Sequence, residues 1–76
     1  METFRTKDLY EASALLAAKA KLLSLQPDRS FCWFVFENAT ACRILSDSFW
    51  RNELTVSAKD LTEAIRTLKD RLFARG

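Results

Sequence analysis

Apolar residues reach their highest density at Phe31-Cys32-Trp33-Phe34-Val35-Phe36, a run of six in which four are aromatic and none is Gly or Pro. A run this short, rich in aromatic residues and preceded by a turn signal, reads as a strand apolar on both faces. Such a strand belongs in the interior of a sheet, and both of its sides ask for cover.

The remaining pattern arranges itself around that strand. Glu2-Thr3-Phe4-Arg5 is a short candidate strand. Thr6 is placed to cap a helix over Lys7 to Ala20, with Asp8 in its first turn and Leu9, Ala12, Leu16 and Ala20 on one face beside Leu15. Lys21 to Leu25 reads as a second strand, and Gln26-Pro27-Asp28-Arg29-Ser30 as the turn into the central strand, so the two form a hairpin. Asn38 caps a helix from Ala39 to Asn52, with Ala41, Ile44, Leu45, Ser48 and Phe49 inward and Trp50 at its end. Leu54-Thr55-Val56 alternates as a fourth, short strand. Ser57 and Asp60 have capping-box spacing before a helix over Ala58 to Ala74, with the clearest apolar stripe in the chain: Leu61, Ala64, Ile65, Leu68 and Leu72. The expected fold is one α+β domain over residues 1–76, a small ferredoxin-like β-α-β-β-α-β sheet with an additional C-terminal helix that covers part of its second face.

Composition changes this picture little. A chain of 76 residues is one domain of marginal stability, and 49% hydrophobic residues answer that need. Twelve basic against ten acidic residues leave a net charge of +2, well short of the basic excess of a committed nucleic-acid binder. No apolar stretch is long enough to span a bilayer, so no membrane partner is expected. The first residues lack the basic start and apolar core of a signal peptide, so a cytoplasmic protein is expected.

Candidate chemistry is thin. The chain contains no His, and its serines have no candidate base beside them. Its one Gly is the last residue, so there is no glycine-rich phosphate loop. Cys32 and Cys42, without a His partner, make no zinc site and read as small buried hydrophobes. Most of the acidic residues fall at helix starts, turns and solvated faces. No catalytic residue, cofactor or metal is expected.

Two binding constellations remain. Arg29-Ser30-Phe31-Cys32-Trp33-Phe34-Val35-Phe36 resembles the signature strand of RNA-recognition motifs, which runs basic, Gly, aromatic, Gly or Ala, Phe, Val, any residue, aromatic. Arg29, Phe31 and Phe36 match, and Trp33 substitutes one aromatic for another. Ser30, Cys32 and Phe34 depart from it, and the first strand offers only Phe4 toward a second aromatic row. The resemblance implies that Phe31 and Trp33 stack bases, helped by Arg29 and Arg5; the competing account packs both rings under the third helix or a partner. The second constellation is apolar surplus near segment ends, at Trp50, Leu54 and Phe73, which is expected to mark an interface with a protein partner or a second copy; the competing account is that the three close off the core. A basic helix end, Arg66, Lys69, Arg71 and Arg75, is accounted for by a solvated helix end that suits the dipole, with a phosphate-backbone contact as the alternative.

Across nearly the whole chain, Phe4-Arg5-Thr6-Lys7-Asp8-Leu9-Tyr10-Glu11-Ala12, Trp33-Phe34-Val35-Phe36-Glu37 and Ala64-Ile65-Arg66-Thr67-Leu68-Lys69 resemble a small family of uncharacterised bacterial and phage proteins. That resemblance implies a stand-alone domain and transfers no functional residue. The expected function is a non-enzymatic, self-associating interaction module; the alternative is single-stranded nucleic-acid binding through the central strand.

Overall fold

The computed structural model describes residues 2–75, and side chains for residues 2–74. Six elements follow in the order β1 (Thr3–Thr6), α1 (Leu9–Ala17), β2 (Leu22–Asp28), β3 (Phe31–Glu37), α2 (Ala39–Trp50) and α3 (Ala58–Arg75). The three strands form one antiparallel sheet in the order β1-β3-β2, so the aromatic-rich strand is central as its composition demands.

Alternation along β3 divides the sheet into two unlike faces. Phe34 and Phe36 point toward the helices, joined across the ladder by Phe4 from β1 and by Leu22 and Leu25 from β2. Leu22 and Leu25 share that face despite their odd spacing because a bulge between Leu22 and Ser24 shifts the phase of β2. Leu15 of α1, Cys42 of α2 and Leu68 of α3 close over these rings, all at most 1% exposed. Pro27 sits within β2 rather than in a turn, tolerated because β2 is an edge strand with no partner for the missing N–H. The hairpin therefore closes tightly at Arg29-Ser30, with Asp28 opposite Phe31.

Three expectations are corrected here. The fourth strand does not form: Leu54-Thr55-Val56 lies outside the sheet, and the ferredoxin-like order stops at its third strand. The reason lies at the end of α2. Asn52, at φ 62°, closes a Schellman motif in which Asn52 N–H donates to Phe49 O and Glu53 N–H to Ser48 O. The chain leaves that motif toward α1 and α3, where Leu54 and Val56 line a hollow with Tyr10, Phe49, Leu61 and Ile65. Second, α3 does not cover the far side of the sheet. It packs antiparallel on α1, with Leu72 sharing a cleft with Leu9 at one end and Lys19 meeting Asp60 at 3.5 Å at the other. The molecule is 18 Å through its thinnest dimension, enough for one sheet and one layer of helices. Third, α2 is turned from its expected face: Cys42 and Ser46 are buried, Leu45 and Phe49 half-buried, and Ile44 is 63% exposed.

Helix ends are set by side chains and by backbone geometry without glycine. Asp8, not Thr6, caps α1, its carboxylate accepting from Tyr10 N–H and Glu11 N–H. A carboxylate at a helix N-terminus satisfies two free donors and complements the dipole, while the Thr6 hydroxyl is committed to Glu11 at 2.6 Å. Asn38 caps α2 through Ala41 N–H and Ser57 caps α3 through Asp60 N–H, as expected. The α1 C-terminus is a second Schellman motif, with Lys19 N–H on Leu16 O and Ala20 N–H on Leu15 O. Lys19 occupies its left-handed position at φ 76°, a region that favours Gly. Lys19→Gly is expected to raise stability by about 0.5–1 kcal/mol, read as a higher midpoint in urea with unchanged slope.

Candidate functional site

The second face of the sheet carries no helix. It presents Thr3 and Arg5 from β1, Phe31, Trp33 and Glu37 from β3, and Ser24, Gln26 and Asp28 from β2, with Val35 buried among them at 5% exposure. Phe31 and Trp33, two residues apart on the same side of an extended strand, meet edge to face with centroids 5.3 Å apart at 78°. Both are half-buried. Their partial burial comes from neighbours in the same face.

Those neighbours are cations. The Arg5 guanidinium lies 4.9 Å from the Trp33 ring centroid, and the Lys7 ammonium 5.0 Å from that of Phe31. Each is within cation–π range. Lys7 follows Arg5 by two residues, so the alternation that places Arg5 on this face carries Lys7 to it as well. At the opposite end of the pair, Trp33 Nε1 donates to Asp28 Oδ2 at 3.1 Å, fixing the indole orientation. Among the described residues the ion pairs are Lys19–Asp60, Lys21–Glu37 and Arg51–Glu53, so Arg5, Lys7 and Arg29 have no carboxylate partner. Arg29 stands at the exposed hairpin turn with φ 56°. The face thus combines π surface with three unpaired positive groups, although the chain as a whole is nearly neutral.

Of the residues expected at an RNA-like platform, Arg5, Phe31 and Trp33 are brought together here, and Arg29 is held at one end. Lys7 and Asp28 complete the face and were missed in the sequence. The period of two from Arg5 to Lys7, and the pairing of Asp28 opposite Phe31, are the signals that carry them.

The residues expected at an apolar interface are scattered. Trp50 is 62% exposed and Phe73 77% exposed. Leu54 is half-buried beside Phe49, which stacks edge to face on Trp50 with centroids 4.9 Å apart. Phe73 lies twelve residues along α3 from Leu61, about 18 Å from that corner. Of the basic helix end, Arg66, Lys69 and Arg71 are exposed, and the Arg75 side chain lies outside the described residues.

A second polar constellation sits behind the sheet. Glu11 is 6% exposed. Its Oε1 accepts from Thr6 Oγ1 at 2.6 Å, and its Oε2 accepts from Ser46 Oγ and from Trp50 Nε1 at 3.1 Å. The carboxylate ties β1, α1 and α2 into one cluster, and no buried polar side-chain atom among the described residues is left without a partner. With three donors from β1 and α2 on its two oxygens, Glu11 is a structural tie. Cys42 is 1% exposed, its Sγ donates to Glu37 O at 3.4 Å, and burial pushes its thiol pKa up. Cys32, half-buried, is the more accessible thiol.

Among the described residues no group of three His, Cys, Asp or Glu gathers to hold a metal, and no helix is long and apolar enough to cross a membrane. Compared with known proteins, the chain matches no family model, no curated protein and no solved structure.

Proposed function

We propose that this chain is a non-enzymatic binding module and that its open sheet face binds single-stranded nucleic acid. The observation that supports this reading is the Phe31–Trp33 pair on the sheet face without a helix, with Arg5 and Lys7 beside it and neither cation in an ion pair among the described residues. Bases stack on such rings whatever their sequence, and backbone phosphates meet the cations on the β1 side. A platform of two aromatic residues holds about two nucleotides, so the affinity expected is modest and strongly salt-dependent.

The test is fluorescence anisotropy of a labelled oligo(dT) at several salt concentrations, for the parent chain, Trp33→Ala and Arg5→Gln. Trp33→Ala is expected to weaken binding by about 1–3 kcal/mol. Arg5→Gln is expected to lower the slope of log K against log salt by about 0.7, the value for one single-strand phosphate contact. Trp33 packs under no helix, so its removal leaves the fold intact, and circular dichroism checks this. A folded Trp33→Ala that binds as the parent does sinks the reading.

Self-association is the second reading, favoured by the exposed Trp50 and Phe73 and by the free outer edge of β1. It requires a mass that rises with protein concentration. A monomer at all concentrations that still binds oligo(dT) leaves the first reading standing alone.

A further inference from the structure

Where the β2–β3 hairpin overhangs the C-terminal half of α3, a cleft of about 480 Å³ opens beside the sheet, within the size range of small-ligand sites. Leu9, Phe34 and Leu72 form its apolar base, with Pro27 and Phe31 as walls. Its polar lining residues are Lys7, Arg29 and Ser30, with Cys32 also in the lining. No lining residue is acidic, and neither cation has a carboxylate partner among the described residues. Asp28, next to Arg29 in sequence, turns to the opposite side of the sheet and accepts from Trp33.

We propose that this cleft is a binding site for a small amphipathic anion: an apolar body such as an acyl chain seated on Leu9, Phe34 and Leu72, with a carboxylate or phosphate head between Lys7 and Arg29. The division of the lining carries the assignment. Aliphatic and aromatic walls offer little to the hydrogen-bonding edge of a nucleobase, whereas they match a hydrocarbon. Two cations without counter-charge favour a negative head, and charge-assisted contacts to it are stronger than neutral ones. The site overlaps the proposed oligonucleotide platform only at its border: Phe31, Lys7 and Arg29 adjoin both, but Trp33 and Arg5 lie on the open face and Leu72 on the helix side.

The experiment uses decanoate as the probe, decan-1-ol as its uncharged counterpart and adenosine monophosphate as the nucleotide competitor. Binding is followed by calorimetry, and occupancy by the rate at which N-ethylmaleimide alkylates Cys32, localised by peptide mass spectrometry. Decanoate is expected to bind with one-to-one saturation, to slow Cys32 alkylation, and to bind about tenfold more tightly than decan-1-ol, an advantage that shrinks with added salt. Arg29→Asn keeps a residue that tolerates the turn's positive φ and removes the charge; it is expected to abolish most of that advantage. Leu72→Trp fills a half-buried position at the base and is expected to abolish decanoate binding while leaving oligo(dT) binding unchanged, which separates failure of this site from failure of the platform. Equal affinity for decan-1-ol, unslowed alkylation of Cys32, undiminished binding in folded Leu72→Trp, or tighter saturation by adenosine monophosphate overturns the proposal.

Discussion

Phe36→Ala is expected to leave the chain largely unfolded at room temperature. Phe36 is fully buried, paired with Phe4 on one side and Leu22 on the other, under Leu15 and Leu68. Truncating a phenylalanine in such a place costs about 3–5 kcal/mol, the lost transfer energy plus the cavity that remains. Typical stabilities per residue give a chain of this length about 4–11 kcal/mol in total, and small domains lie toward the lower end. The loss therefore takes most of what there is. A urea titration followed by far-ultraviolet circular dichroism checks it, with Phe36→Leu as the companion that keeps most of the volume and a clear transition. Trp33→Ala, three residues away and on the opposite side of the same strand, is expected to shift the midpoint far less. A Phe36→Ala midpoint close to the parent's would mean that β3 presents its other face to the helices.

The next largest effect is expected at Glu11. Glu11→Ala removes the acceptor shared by Thr6, Ser46 and Trp50, leaving two buried hydroxyls and a partly covered indole N–H to find other partners. Stranding buried donors costs about 1–3 kcal/mol each, and hydroxyl rotation recovers some of it, so a total of about 2–4 kcal/mol is expected. Glu11→Gln keeps one acceptor oxygen and is expected to cost about half as much. Thermal melts of the two variants give the comparison. A double-mutant cycle with Ser46→Ala supplies the second check: the two changes should be clearly less than additive, because the same interaction is lost in each. Strict additivity, or a Glu11→Ala melt that matches the parent, would remove Glu11 from its role as the tie between β1, α1 and α2. The Trp50 ring follows the same logic. Its indole is exposed but pinned through Nε1, so Glu11→Ala should also red-shift and broaden its emission.

The functional readings depend on the sheet having one bare face. Binding across it uses residues from β1 and β3 whose cations and rings alternate with core residues, so the surface and the interior are written in the same strands. Arg5 lies between Phe4 and Thr6, which both point inward, and Trp33 precedes the buried Phe34. This interleaving means that a surface change at Arg5 or Trp33 can be made without touching the core.

Local sequence determined the elements whose signals are themselves local. The run Phe31–Phe36 marked the central strand, paired with β1 on one edge and β2 on the other, but of the two faces expected to be covered only the Phe34–Phe36 face carries helices. Asn38 and Ser57 cap their helices because their side chains reach donors three residues away, and the stripe from Leu61 to Leu72 buries as its spacing demands. Tertiary structure decided what depends on partners distant in the chain. A period of two shows which residues share a face, but not which face receives the helices; that followed from α1, α2 and α3 all crossing on the Phe34–Phe36 side. Leu54-Thr55-Val56 alternates as a strand does, yet strands need a neighbour, and the backbone geometry at Asn52 sends this segment to the helices instead. Glu11 has no local signal at all: two of its three side-chain donors stand 35 and 39 residues away, and only folding brings them within hydrogen-bond distance.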